Sequence, residues 1–184
     1  MTMDYAEMVG RLKKSGEDII AGWTPLHASR AHMLTGIYDE YMEVTEALIL
    51  LDGAKVELDN TVELAKELGD LMFYLVGLAQ DYHIESQVMA YPLPEPSRDA
   101  LQSMIAATTM VKRHLYYNKP LDTLELAVAL RKLIANVASL AAGTGRSLED
   151  ILDLNQEKLL GGRYKEGKFS DEQANDREDE ALDS

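Results

Sequence analysis

The sequence predicts an all-α protein, a helical bundle of about five to six helices, and three observations predict it. Apolar residues recur at helical offsets through two stretches longer than an average globular helix. Proline and glycine fall mainly between such stretches. No segment of any length alternates with the two-residue period of a strand.

Taken in order, residues 1–26 hold an N-terminal helix from about Tyr5 to Ile20, loosely amphipathic through Met8, Val9, Leu12, Ile19 and Ile20, ending near Gly22 and a Trp23-Thr-Pro turn. A helical core follows over 27–160. Its first pair, 27–85, opens with a helix from about His27 to Leu51, in which Ile37, Tyr41, Val44, Leu48 and Leu51 share one face. Asp52-Gly53 stops it, and Asp59-Asn60-Thr61 offers N-cap residues to a second helix running to about Tyr82. Leu64, Leu68, Leu71, Leu75 and Leu78 make its stripe.

Pro92, Pro94 and Pro96 then break the chain, because proline lacks the amide donor and restricts the residue before it. A second pair spans 97–142, roughly Ser97 to Tyr117 and Leu121 to Ala142, parted by Asn118-Lys119-Pro120. Ser147 and Asp150 have capping-box spacing at the head of a last helix over 147–160. The acidic remainder, 161–184, has few apolar residues and is expected to be irregular or partly disordered at its end.

At 184 residues with 46% hydrophobic content, the chain suits one ordinary domain or two small ones sharing a core. It has no uninterrupted apolar run of bilayer length, and its N-terminus lacks the basic start and apolar segment of a signal peptide. A cytoplasmic location without membrane partners is expected. With no cysteine, any metal must be held by oxygen or imidazole. A formal net charge of −14 disfavours polymeric nucleic acid as a partner, although a local basic patch can serve a small phosphate ligand.

Thr61–Ala79 aligns without gaps on Thr123–Ala141, with 8 identities in 19 positions. Two Leu/Ala-rich core helices in one phase coincide this way by composition, or a helix pair has been duplicated. The second copy lacks the acids of the first: Ala129 and Lys132 stand at the places of Glu67 and Asp70, and Gln102 and Ile105 at those of Glu40 and Glu43. It carries instead the cationic, aromatic run Lys112-Arg113-His114-Leu115-Tyr116-Tyr117-Asn118-Lys119. A division of labour is expected, with carboxylates from one half and phosphate and base contacts from the other.

Glu40-x-x-Glu43 and Glu67-x-x-Asp70 each place two carboxylates on neighbouring positions of one helix face, beside an apolar stripe. Such pairs are common on solvated faces. Two of them on adjacent amphipathic helices point instead to a shared cation, because carboxylates near a core are costly unless paired. Oxygen ligands suit Mg²⁺, with Mn²⁺ as a substitute, and Mg²⁺ takes substrate phosphate oxygens as its remaining ligands. Glu46, on the same helix, is a candidate base or further ligand. Gly69, beside Asp70, permits close helix approach.

The segments HMLTGIYDEYMEVTEAL and ELAKELGDLMFYLVGLA resemble the MazG-like family of all-α nucleoside triphosphate pyrophosphohydrolases, phage and bacterial type, whose signature is E-x-x-E, a spacer, then E-x-x-D. The resemblance covers most of residues 31 to 175, with 23 residues between Glu43 and Glu67. VKRHLYYNKPLD resembles a basic segment of that family, here displaced from between the acidic helices into the second pair. The resemblance implies Mg²⁺-dependent hydrolysis of a (d)NTP to the monophosphate and pyrophosphate in nucleotide-pool control. Glu40, Glu43, Glu67 and Asp70 would be the ligands. Lys112, Arg113 and Lys119 would meet phosphates, and Tyr116 or Tyr117 would stack on a base. Asn155, Lys158 and Arg163, in an N-x-x-K-L-like ending, would reach substrate. A homo-oligomer, dimeric or higher, and a composite site across the halves are expected.

The competing expectations are a hydrolase of other nucleotide pyrophosphates and a non-catalytic helical scaffold with an acidic cation-binding groove. Lys112, Arg113 and Lys119 also suit a solvated helix end, where cations favour the dipole. His27, His32, His83 and His114 are scattered; His32, two turns before Glu40, is the one near the acids. Trp23 reads as a packing anchor.

Overall fold

The computed structural model describes residues 4–53, 58–97, 99–164, 167–168 and 170, with the side chains of 52, 58–60 and 162–163 left out. Among them there are helices and no strand. In chain order they are α1 (Tyr5–Leu12), α2 (Gly16–Ala21), α3 (Pro25–Gly53), α4 (Leu58–Asp81), α5 (Glu85–Val88), α6 (Ala100–Tyr117), α7 (Thr123–Gly143) and α8 (Leu148–Glu157), which runs on into a π-helical turn (Lys158–Arg163).

The expected N-terminal helix is two helices. Ser15 interrupts it: its hydroxyl accepts from the Asp18 amide at 3.0 Å and so caps a new start. The helix carrying Glu67 is already helical at Leu58, so the backbone of Asp59 and Asn60, expected just ahead of it, lies within α4. The proline linker is preceded by α5, whose Val88 is fully buried. Arg131 Nη2 of α7 donates to the carbonyls of Ala90 at 3.1 Å and Pro92 at 2.6 Å, tying the linker to the bundle. The helix expected from about Ser97 starts at Ala100, where Asp99 caps α6 by accepting from the Gln102 amide. At α8, Ser147 and Asp150 form the expected capping box, and the Ser147 amide and hydroxyl hold the Asp150 carboxyl below its ordinary range. The acidic tail, 171–184, lies outside the described residues.

Two antiparallel hairpins, α3–α4 and α6–α7, pack face to face, α3 meeting α6 and α4 meeting α7, and α8 lies across α4 and α7. The core between them is the leucine stripe of α4 (Leu64, Leu68, Leu71, Leu75, Leu78) against Leu126, Leu130, Ile134 and Val137 of α7. Burying these side chains contributes roughly 1.5–3 kcal/mol each before entropy is counted. By length and composition α7 could cross a bilayer, yet half of that window is buried inside the bundle.

The α3–α4 register governs everything that follows. Ser29 Oγ donates to Asp81 Oδ2 at 2.7 Å. Met33 packs over Gly77, Gly36 lies under the Tyr74 ring, Glu40 faces Asp70, and Glu43 hydrogen-bonds to Glu67. Each step of four or three residues up α3 is matched by an equal step down α4, the spacing that keeps two antiparallel helices on one seam. A Cβ on Gly36 would come within 2.3 Å of the Tyr74 ring, and one on Gly77 within 2.4 Å of Met33 Sδ, so both glycines allow the helices to close.

Candidate functional site

The acidic site lies on this seam, one turn beyond the Gly36–Tyr74 contact. Ligand oxygens of Glu40, Glu67 and Asp70 all lie within 4.8 Å of one another, each side chain half-buried. Glu43 is more exposed and reaches the group through its hydrogen bond to Glu67. The electrostatics follow from crowding like charges in a partly dry place. Burial, then the charges of Asp70 and Glu43, push the Glu40 carboxyl up to about 7, against a smaller opposing pull from Lys158. Burial, then the hydrogen bond and charge of Glu43, push Glu67 up to about 8. Glu40 Oε2 is buried without a hydrogen-bond partner.

Asp70 is held from outside the seam. Asn155 Nδ2 donates to its Oδ1 and Lys158 Nζ to its Oδ2, both at 2.7 Å. These residues reach it because α8 crosses α4 at Gly69, where an added Cβ would lie 2.8 Å from Asn155 Cβ. Gly69 thus admits α8, whereas Gly36 and Gly77 bring α3 and α4 together.

The donor set fits a divalent cation: carboxylates from two helices converge, burial and neighbouring acids raise the pKa of two of them, and one buried oxygen lacks a hydrogen-bond partner. A dication would reverse the repulsion and accept the orphaned oxygen.

Glu46 is exposed and stands outside the converging carboxylates. The cationic run is elsewhere. His114 meets Arg30 at 3.5 Å, His27 and Tyr82 ring to ring, and Lys119 O through Nδ1, so the end of α6 sits at the level of Arg30 on α3. Ten residues of helix separate Arg30 from Glu40, about 15 Å. Lys112, Arg113, Tyr117 and Lys119 are exposed there. Tyr116 packs edge-on against Trp23, whose Nε1 donates to Leu115 O at 3.1 Å, and Lys14 Nζ donates to Tyr116 O. The expected composite site across the two halves of one chain is therefore not assembled: α6 runs antiparallel to α3 and carries its basic end away from the acids. The Arg163 side chain lies outside the described residues.

Glu63 was not singled out by the sequence, yet it hydrogen-bonds to Glu67 and is 3.9 Å from Lys66. Its spacing of four from Glu67 was the available signal. His32 meets the Tyr74 ring edge-on at 5.8 Å, two turns from Glu40. A cavity of about 590 Å³ between α3, α6 and α7 is lined by Tyr41, Thr45, Leu48, Asp99 and Asn136 among others, and by none of Glu40, Glu43, Glu67 and Asp70.

No protein family, curated protein or solved structure matches this chain.

Proposed function

We propose that the protein is a Mg²⁺-dependent nucleoside triphosphate pyrophosphohydrolase, cleaving a (d)NTP between the α and β phosphorus atoms. The observation that carries this reading is the convergence of Glu40, Glu67 and Asp70 within 4.8 Å on the α3–α4 seam, with Glu43 hydrogen-bonded to Glu67 at its rim. The resemblance of these two helices to the MazG-like signature supplies the reaction class.

Glu40, Glu67 and Asp70 would hold the cation, with Glu43 completing the ring of acids. When bound, Mg²⁺ supplies charge neutralisation at the phosphoryl oxygens and acidifies the attacking water. Asn155 keeps Asp70 in one orientation, the kind of outer support on which a ligand's geometry depends. Water adds to the α phosphorus, the bond to the bridging oxygen breaks, and pyrophosphate leaves with the electron pair. The proton lost by water goes to a rim carboxylate, for which Glu43 is better placed than Glu46.

Incubation with each NTP and dNTP plus Mg²⁺, followed by separation of products, tests the proposal. Monophosphate together with intact pyrophosphate supports it; orthophosphate release, or no turnover on any nucleotide, overturns it.

A further inference from the structure

The carboxylate set alone does not explain why Asp70 is ion-paired. Both of its oxygens are engaged, by Asn155 and by Lys158, and the Lys158–Asp70 pair is largely shielded, each side chain only 19% exposed. A dication sharing Asp70 with Glu40 and Glu67 would stand beside the Lys158 ammonium, in a place where repulsion is poorly screened. A carboxylate oxygen can accept a hydrogen bond and a metal bond together, so Asn155 need not leave. Lys158 differs, because it carries a full positive charge.

We propose that Lys158 is an exchangeable internal counter-cation: a divalent metal entering at Glu40, Glu67 and Asp70 displaces its ammonium from Asp70. The inference rests on the metal-site reading above and adds the fate of the displaced charge. Two features say which part moves. Asn155 sits against Gly69 so closely that no Cβ fits between them, which pins α8 to α4. Lys158 is the residue at which α8 gives way to the π-helical turn, and its four-carbon stem can swing without undocking the helix. The exchange is therefore a side-chain movement at a fixed helix.

Amine acylation of the full-length protein, read residue by residue by mass spectrometry with and without Mg²⁺, tests this, with calorimetry on the same samples reporting Mg²⁺ binding. The exposed Lys112 and Lys119 serve as internal controls. Lys158 is expected to react slowly without Mg²⁺, shielded in its pair with Asp70, and roughly tenfold faster with it as the side chain becomes accessible to reagent, while the controls hold constant. Mg²⁺ binding with an unchanged or slower Lys158 rate overturns the exchange and leaves the metal site standing. Absence of Mg²⁺ binding overturns both. Lys158→Met, checked for native helicity, is expected to bind Mg²⁺ several-fold more tightly; equal or weaker binding also counts against the exchange.

Discussion

Asn155 of α8 lies against the bare backbone of Gly69 of α4, and the same contact brings its amide to Asp70 Oδ1 at 2.7 Å. One glycine thereby serves packing and electrostatics together. Gly69→Ala is expected to push α8 outward, cost about 1–3 kcal/mol in urea unfolding and loosen the hold on Asp70. Unaltered stability would mean that α8 docks by other contacts.

The raised carboxyls make the protein's stability depend on pH in a definite direction. Glu40 at about 7 and Glu67 at about 8 are both above the ordinary value of 4.5, so the folded chain binds protons that the unfolded chain has released. Their contribution is complete below about pH 4.5 and is lost as pH rises through 7 to 8. In EDTA, Tm should fall between pH 6 and 8.5, and saturating Mg²⁺ should recover most at the alkaline end. A Tm that climbs over this window in EDTA would contradict the like-charge crowding.

Glu67→Gln mimics the protonated side chain. At pH 8 it should raise Tm in EDTA, remove the Mg²⁺-dependent gain and lower turnover by roughly a hundredfold or more. Glu43→Gln should lower turnover comparably with circular dichroism unchanged. Wild-type rates in both variants would remove the metal assignment.

Lys112→Ala should leave KM for a triphosphate within about twofold, because roughly 15 Å of helix separates the Arg30 level from Glu40 and the screening length in physiological salt is about 8 Å. A large rise in KM would show that the basic end of α6 reaches a substrate after all, supplied across an interface between copies.

Much of this architecture was legible in the sequence because helical periodicity is local. All five leucines of the α4 stripe are buried, as are Ile37 and Val44 of α3. The acid pairs could be found because spacing of three puts side chains on one helix face. What could not be read is relative placement. Gly36 and Gly77 set the approach of α3 and α4 only through Tyr74 and Met33 on the opposite helix. Asn155 and Lys158 were expected against substrate; their hold on Asp70 depends on where α8 crosses α4. The basic run looked like a partner for the acids because nothing local reveals which way α6 points. Ser15 was the exception, a local signal overlooked, since serine before glycine and acids marks a helix start.

The matched stepping of α3 and α4 has a consequence for how such sites tolerate change. Facing pairs from Ser29–Asp81 down to Glu43–Glu67 are selected by helical phase, so the number of residues joining the two helices is free to vary while the site persists. Deleting one residue between Gly36 and Glu40 would turn the acids by about 100° relative to the seam and disperse them. A search for similar sites is better keyed to the three-and-four cadence of glycine and acid on both helices than to the length of the gap between acidic motifs.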